Sequence, residues 1–185
     1  MSGVPTTRTL GKDDWLTPPE VFDPVHAAVD FDLDAAAGSA EEARVPFYIS
    51  PEVDGLKARW GWFGQRVWCN PPYGRHLKHW LAKAADACVN GCELVCLLIY
   101  ANVDTAYWRE HVADNKNAVA VVFLQPRVSF HRADGGDAAT APKGSALVFF
   151  SDVPRDTRFP QTLYWDFNTE AFADVWAEIN IGATP

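Results

Sequence analysis

The chain lacks any apolar run near the roughly 18 residues that a membrane-spanning helix needs, and Met1 to Thr9 lack the hydrophobic stretch of a secretion signal. Together these absences predict a cytoplasmic protein. The four cysteines, Cys69, Cys88, Cys92 and Cys96, include no Cys-x-x-Cys pair and have no matching histidine pair. No metal site is expected, and the thiols read as small buried apolar groups. Internal repeats and low-complexity linkers are missing too. The 185 residues therefore read as one domain, 1–185, with its core at about 13–152.

A net charge of −8 excludes a surface that attracts polyanions everywhere. A further absence is local. No Asp or Glu occurs from Gly55 to Ala85, although the chain has 24. Six of its 16 Lys and Arg fall in that stretch: Lys57, Arg59, Arg66, Arg75, Lys78 and Lys83. An ordinary solvated face and a positive patch for phosphates both fit the pattern. Arg127, His131 and Arg132 form a second basic knot.

What is present is an alternation of strands and helices. Thr17-Pro18-Pro19-Glu20 predicts a helix start, with Thr17 as N-cap and Glu20 closing a capping box. Val21, Phe22, Val25 and Val29 follow on one apolar side. Strands are expected at Phe31 to Ala36, Arg66 to Cys69, Glu93 to Tyr100, Ala118 to Leu124, Val128 to His131 and Ser145 to Phe150. Helices are expected at His76 to Val89, Thr105 to Val112 and Ala171 to Ile179. The nearly continuous apolar run from Glu93 to Tyr100 suits a strand covered on both faces. This alternation predicts an α/β fold with a mainly parallel central sheet and flanking helices. Ligands of such sheets bind outside the carboxyl ends of the strands, and Asp34 and Asn70 both fall at such ends.

Asn70-Pro71-Pro72-Tyr73 carries the chemistry. The amino nitrogen of adenine or cytosine is a poor nucleophile because its lone pair is delocalised into the ring. It must pyramidalise to attack a methyl group, and acceptors placed against its two N–H bonds favour that change. Asn70 offers a side-chain carbonyl, and Pro71 a main-chain carbonyl on a backbone stiffened by two prolines. Tyr73 offers a flat face for an extruded base, with its hydroxyl free to reach polar surroundings. A rigid surface turn at Pro71-Pro72-Tyr73-Gly74 is the bland alternative.

The chain resembles the Dam-like DNA N6-adenine methyltransferases of bacteriophages and prophages. The resemblance rests on Asp14-Trp15-Leu16-Thr17-Pro18-Pro19, Phe31-Asp32-Leu33-Asp34-Ala35-Ala36-Ala37, Asp54-Gly55-Leu56 with Trp60, and Trp68-Cys69-Asn70-Pro71-Pro72-Tyr73-Gly74. Arg127-Val128-Ser129-Phe130 and Ala141-Pro142-Lys143-Gly144-Ser145 complete it, in order, over roughly Trp15 to Phe150. It implies a Rossmann-like class I methyltransferase fold, S-adenosylmethionine as methyl donor, and N6 of adenine in double-stranded DNA as acceptor, in a bacterial host cell. By position, Trp15, Thr17 and Pro18 would help hold the cofactor, as would the strand end Asp34, Ala35 and Ala36, with Ala35-Ala36-Ala37-Gly38 replacing the usual glycine-rich form. Asn70 would border the cofactor as well as the acceptor.

Each of these positions has a plainer reading. Thr17 can be only an N-cap, and Trp15 a core aromatic. Asp34 can cap a helix, or face the cofactor's ammonium group. Asp54 lies at a suitable distance along the chain for a carboxylate on the ribose, while Asp54-Gly55 is equally a turn signal. Arg75, Lys78, Arg127 and Phe130 are the expected DNA contacts. With no separate target-recognition domain expected, sequence reading falls to loops, above all Phe130 to Lys143. The competing functions are methylation of RNA bases or of glutamine amides in proteins, and a catalytically silent nucleic-acid-binding protein on the same scaffold.

Overall fold

The computed structural model describes residues 15–133, 135–179 and 181. Met1 to Thr9 and Asp14 lie outside the described residues. In chain order the strands are β1 (Trp15–Leu16), β2 (Leu33–Asp34), β3 (Phe47–Tyr48), β4 (Arg66–Cys69), β5 (Leu94–Tyr100), β6 (Ala118–Gln125), β7 (Ser129–Arg132), β8 (Ala139–Thr140), β9 (Ser145–Ser151) and β10 (Gln161–Asp166). The helices are α1 (Pro19–Val29), α2 (Leu77–Val89), the short α3 (Ala106–Trp108) and α4 (Phe172–Glu178). Helix α3 widens into a π-helical turn at Arg109–Ala113.

Seven strands form the main sheet in the order β10-β6-β9-β5-β4-β2-β3, and three short ones form a second sheet, β1-β7-β8. Within the main sheet every pairing is parallel except those of β9. Strand alternation divides the core into two layers. Val95, Leu97 and Ile99 of β5 join Val67 and Cys69 of β4 against α2, whereas Leu94, Cys96 and Leu98 join Trp68 on the side of α1 and α4. A strand covered on both faces must be apolar at successive positions, which is why the run at 94–99 contains no charge. The expected α/β architecture and mainly parallel sheet are thus present.

Helix α1 starts differently from the expectation. Its N-cap is Pro18, with extended backbone and no side-chain cap, and the Pro18 carbonyl accepts the N–H groups of Val21 and Phe22 at 3.0 Å. Thr17 is therefore one residue too early to cap. The core also extends past residue 152: Trp165 and Phe172 are fully buried and meet edge-on at 4.8 Å between ring centroids. All four cysteines are free and buried. Burial pushes all four thiols up, that of Cys92 to about 12, so they are inert apolar groups at neutral pH. Among the described residues no cluster of three His, Cys, Asp or Glu converges, and no helix is long and apolar enough to cross a membrane.

The strands that matter for function are β5, β4 and β2. They are adjacent and parallel, so their carboxyl ends share one edge of the sheet. Asp34 ends β2, Asn70 directly follows β4, and Tyr100 ends β5.

Candidate active site

Two cavities open along this edge and share a wall. The first, about 440 Å³, is lined by Trp15, Thr17, Asp34, Ala35 and Ala36 together with Asn70, and by Asp54 and Trp80 at its far side. The second, about 460 Å³, is lined by Asn70, Pro71, Tyr73, Tyr100, Asn102 and Tyr107. Trp15 and Asn70 belong to both. Asn70 Nδ2 donates to the Trp15 main-chain carbonyl at 3.0 Å. That bond commits the amide nitrogen and leaves Oδ1 as the acceptor. The partner is set by fold, since β1 pairs antiparallel with β7 through Trp15 and Arg132, and the Arg132 guanidinium lies 5.6 Å from the Trp15 ring.

The first cavity carries two polar groups without ordinary satisfaction. Thr17 is buried, and its Oγ1 has no hydrogen-bond partner among the described residues. An orphaned buried hydroxyl costs about 1–3 kcal/mol unless something supplies the missing bond. Asp34 accepts the Ala36 N–H at 3.0 Å. Burial nevertheless pushes its carboxyl up to about 6, against the opposing pull of that N–H and of Arg44. Low side chains at Ala35, Ala36 and Ala37 let a ligand approach the backbone beside it.

Other expected cofactor residues are placed less directly. Pro18 is not on the cavity wall; its position is fixed by capping α1. Asp54 does line the cavity, but its carboxylate is engaged by its own turn, accepting the Leu56 N–H at 3.1 Å and pairing with Lys57 at 2.8 Å. The Asp54 backbone has φ 64, and a Cβ on the following Gly55 would stand 2.5 Å from the Ala35 carbonyl. The turn thus requires glycine at 55. Arg44, which the sequence reading passed over, also lines this cavity. It donates to the Thr17 carbonyl and to Asp23, and its guanidinium sits 4.4 Å from the Phe22 ring centroid.

In the second cavity Tyr73 is half-buried against Tyr100, with ring centroids 4.2 Å apart. Its hydroxyl is not free. It donates to the Leu98 carbonyl of β5 at 3.2 Å, and burial holds its pKa well above the usual tyrosine value. Tyr73→Phe should therefore lower stability by about 1 kcal/mol while keeping the ring in place, which thermal denaturation would measure. Phe130 is corrected as well. At 3% exposed it is a core residue packed edge-on to Tyr73, 5.9 Å between centroids, and cannot contact a duplex.

The acid-free segment does not form one continuous rim. Arg66 stands at the amino end of β4, opposite Asn70, where it donates to the Val29 carbonyl and to Glu93. Lys57 pairs with Asp54 and Lys83 with Asp86, both acids lying just outside the segment. Arg75 and Lys78 are exposed at the start of α2, immediately after the tetrapeptide. Arg127 is exposed and donates to the Pro142 carbonyl at 3.2 Å. The expected reading loop, Phe130 to Lys143, is partly ordered by β7 and β8, which pair through Ser129 and Thr140.

The architecture is that of the class I methyltransferases. A structure described as a class I S-adenosylmethionine-dependent methyltransferase of Listeria monocytogenes superposes with a TM-score of 0.53 over 91% of this chain and 72% of that one, at 12% identity. The DNA N-6-adenine-methyltransferase (Dam) family matches residues 5–166, and the chain belongs to that family. It is a methyltransferase. Among curated proteins no sequence match was found.

Proposed function

We propose that the protein transfers a methyl group from S-adenosylmethionine to N6 of adenine in double-stranded DNA. The observation that carries this reading is Asn70 standing in the wall common to two cavities, one lined by Asp34 and the small residues Ala35 and Ala36, the other by the Tyr73 and Tyr100 rings. The first cavity is of ordinary cofactor size. Its Asp34 carboxylate is the group that a ligand bearing an ammonium would satisfy. S-adenosylmethionine, when bound, supplies an electrophilic methyl group.

The chain's own residues act on the acceptor. Asn70 Oδ1 and the Pro71 carbonyl accept the two N–H bonds of the amino group, which draws the nitrogen out of conjugation and turns its lone pair outward. Neither group takes the proton as a base at neutral pH; the amino group, cationic once its lone pair has formed the new bond, gives its extra proton to water, so the contribution of the two carbonyls is positional and electrostatic. Tyr73 supplies an aromatic surface backed by Tyr100 and Phe130. Arg75 and Lys78, beside the cavity mouth, hold phosphates next to the extruded nucleotide.

Labelled S-adenosylmethionine incubated with unmodified duplex DNA, RNA and protein tests the reading directly. Label on adenine N6 of DNA is expected, and label confined to RNA or protein would overturn it. The phosphate contacts have their own measurement. Arg75→Ala and Lys78→Ala should each lower the slope of log affinity against log salt by about one unit on duplex DNA, with cofactor affinity unchanged. An unaltered slope in both variants would remove this pair from the DNA interface.

A further inference from the structure

The second cavity has a wall that methyl transfer itself does not use. Lys143 Nζ donates to Asn102 Oδ1 at 2.9 Å, and Asn102 Nδ2 donates to the Tyr107 hydroxyl oxygen at 2.7 Å. All three residues line the cavity that contains Asn70, Pro71 and Tyr73. Donation runs one way along this chain, from the ammonium to the amide to the phenol. Tyr107 therefore accepts within the protein and keeps its own proton to give, and among the described residues nothing accepts that proton. A cation at the head of such a chain polarises each bond in the same sense and makes the terminal O–H a better donor.

The arrangement is held by backbone. Asn102 follows the carboxyl end of β5, where its carbonyl accepts the Thr105 hydroxyl at 2.7 Å. That same hydroxyl caps α3 by accepting the Trp108 N–H at 3.4 Å, so the segment carrying Tyr107 is anchored at both ends. The Ala101 N–H donates to the Gly144 carbonyl at 2.9 Å, which ties the Lys143 segment to the end of β5.

We propose that Tyr107 is a specificity-determining residue of the acceptor site, donating its hydroxyl proton to a ring nitrogen that flanks the amino group of the target base, with Asn102 and Lys143 as its positioning residues. The inference rests on the adenine reading given above. Asn70 and Pro71 offer only acceptors, which suit the amino group but ignore the ring. Adenine presents an acceptor on either side of that group, N1 on the pairing edge and N7 on the opposite edge. A site built around a donor rejects a base that lacks the matching acceptor, because the donor is then left unpaired.

The test pairs a deletion in the protein with a deletion in the base. The methylated site is first located by acting on unmodified plasmid DNA, and duplexes carrying it are then made with adenine, 1-deazaadenine or 7-deazaadenine at the target. Tyr107→Phe should lower kcat/KM on adenine by about tenfold to a hundredfold with unchanged cofactor affinity. On one of the two deaza substrates the wild-type protein should already show the same loss, and Tyr107→Phe should add nothing further. The identity of that substrate tells N1 from N7. Lys143→Ala should reproduce a smaller loss on adenine and none on the substrate to which Tyr107→Phe is blind. Losses that multiply on both deaza substrates, or a Tyr107→Phe protein as active as the wild type on adenine, would overturn the assignment while leaving adenine methylation intact. A wild-type protein that methylates no DNA overturns both readings.

Discussion

Asn70→Ala should lose a hundredfold or more of the single-turnover methylation rate while retaining most of its affinity for S-adenosylmethionine. Asn70 contributes one face to the first cavity, where many other residues remain, but it is the side-chain acceptor in the shared wall. Removal of one preorganised hydrogen bond aimed at developing charge commonly costs about a hundredfold to a thousandfold in rate. The substitution also releases the Trp15 carbonyl from its bond to Nδ2. A thermal melt separates the two consequences, because a freed half-exposed carbonyl finds water and costs little stability. Near-normal rates under single-turnover conditions would take Asn70 out of the chemistry.

The other large effect runs in opposite directions for stability and binding. The Asp34 carboxyl, raised by burial from 3.8 to about 6, holds its proton more tightly folded than unfolded. Below about pH 4 both states are protonated and the group adds no penalty. Between about pH 4 and 6 the unfolded state ionises first, so apoprotein stability falls as pH rises, by up to about 3 kcal/mol at the plateau above pH 6. Asp34→Asn keeps an oxygen for the Ala36 N–H and removes the buried charge. The apoprotein should therefore melt several degrees higher at pH 7.5, with a flatter pH dependence. Its affinity for S-adenosylmethionine should drop at least tenfold if Asp34 is, as proposed, the partner of the ammonium. In the wild type the same linkage should weaken cofactor binding as pH falls through about 6. Calorimetry and melting across pH 5–8 measure both, and a variant that is less stable yet binds normally would refute the assignment.

Much of this was legible in the sequence because the strands that build the site are the buried ones. The run at Leu94–Tyr100 and the short strand before Asn70 cannot hide, since burial on both faces removes polar residues. Strand β10 escaped because Gln161–Asp166 alternates exposed and covered positions at the sheet edge, leaving Trp165 as its one fully buried side chain. Strands β1 and β8 are two residues each and have no periodicity to read. The acid-free stretch misled for a different reason. Charge is neutralised in space, and Asp54, Asp86 and Glu93 come from just outside it. Phe130 carried no local sign of burial, because the ring it supports, Tyr73, lies far along the chain. Asn102 had a usable signal, a polar residue just after the carboxyl end of β5, where an α/β sheet places its ligands; Tyr107 follows in α3.

The pairing of Trp15 with Arg132 has a consequence for how the protein is born. Trp15 leaves the ribosome well ahead of its strand partner, which is made more than a hundred positions later. At about 5–20 residues per second, that is a wait on the order of ten seconds. For roughly the second half of it the tetrapeptide at Asn70 is already made, but the carbonyl that orients its amide has no strand to lie on. Chains stalled before β7 should thus hold an Asn70 with no fixed direction. Arrival of β7 supplies the strand on which the Trp15 carbonyl is held.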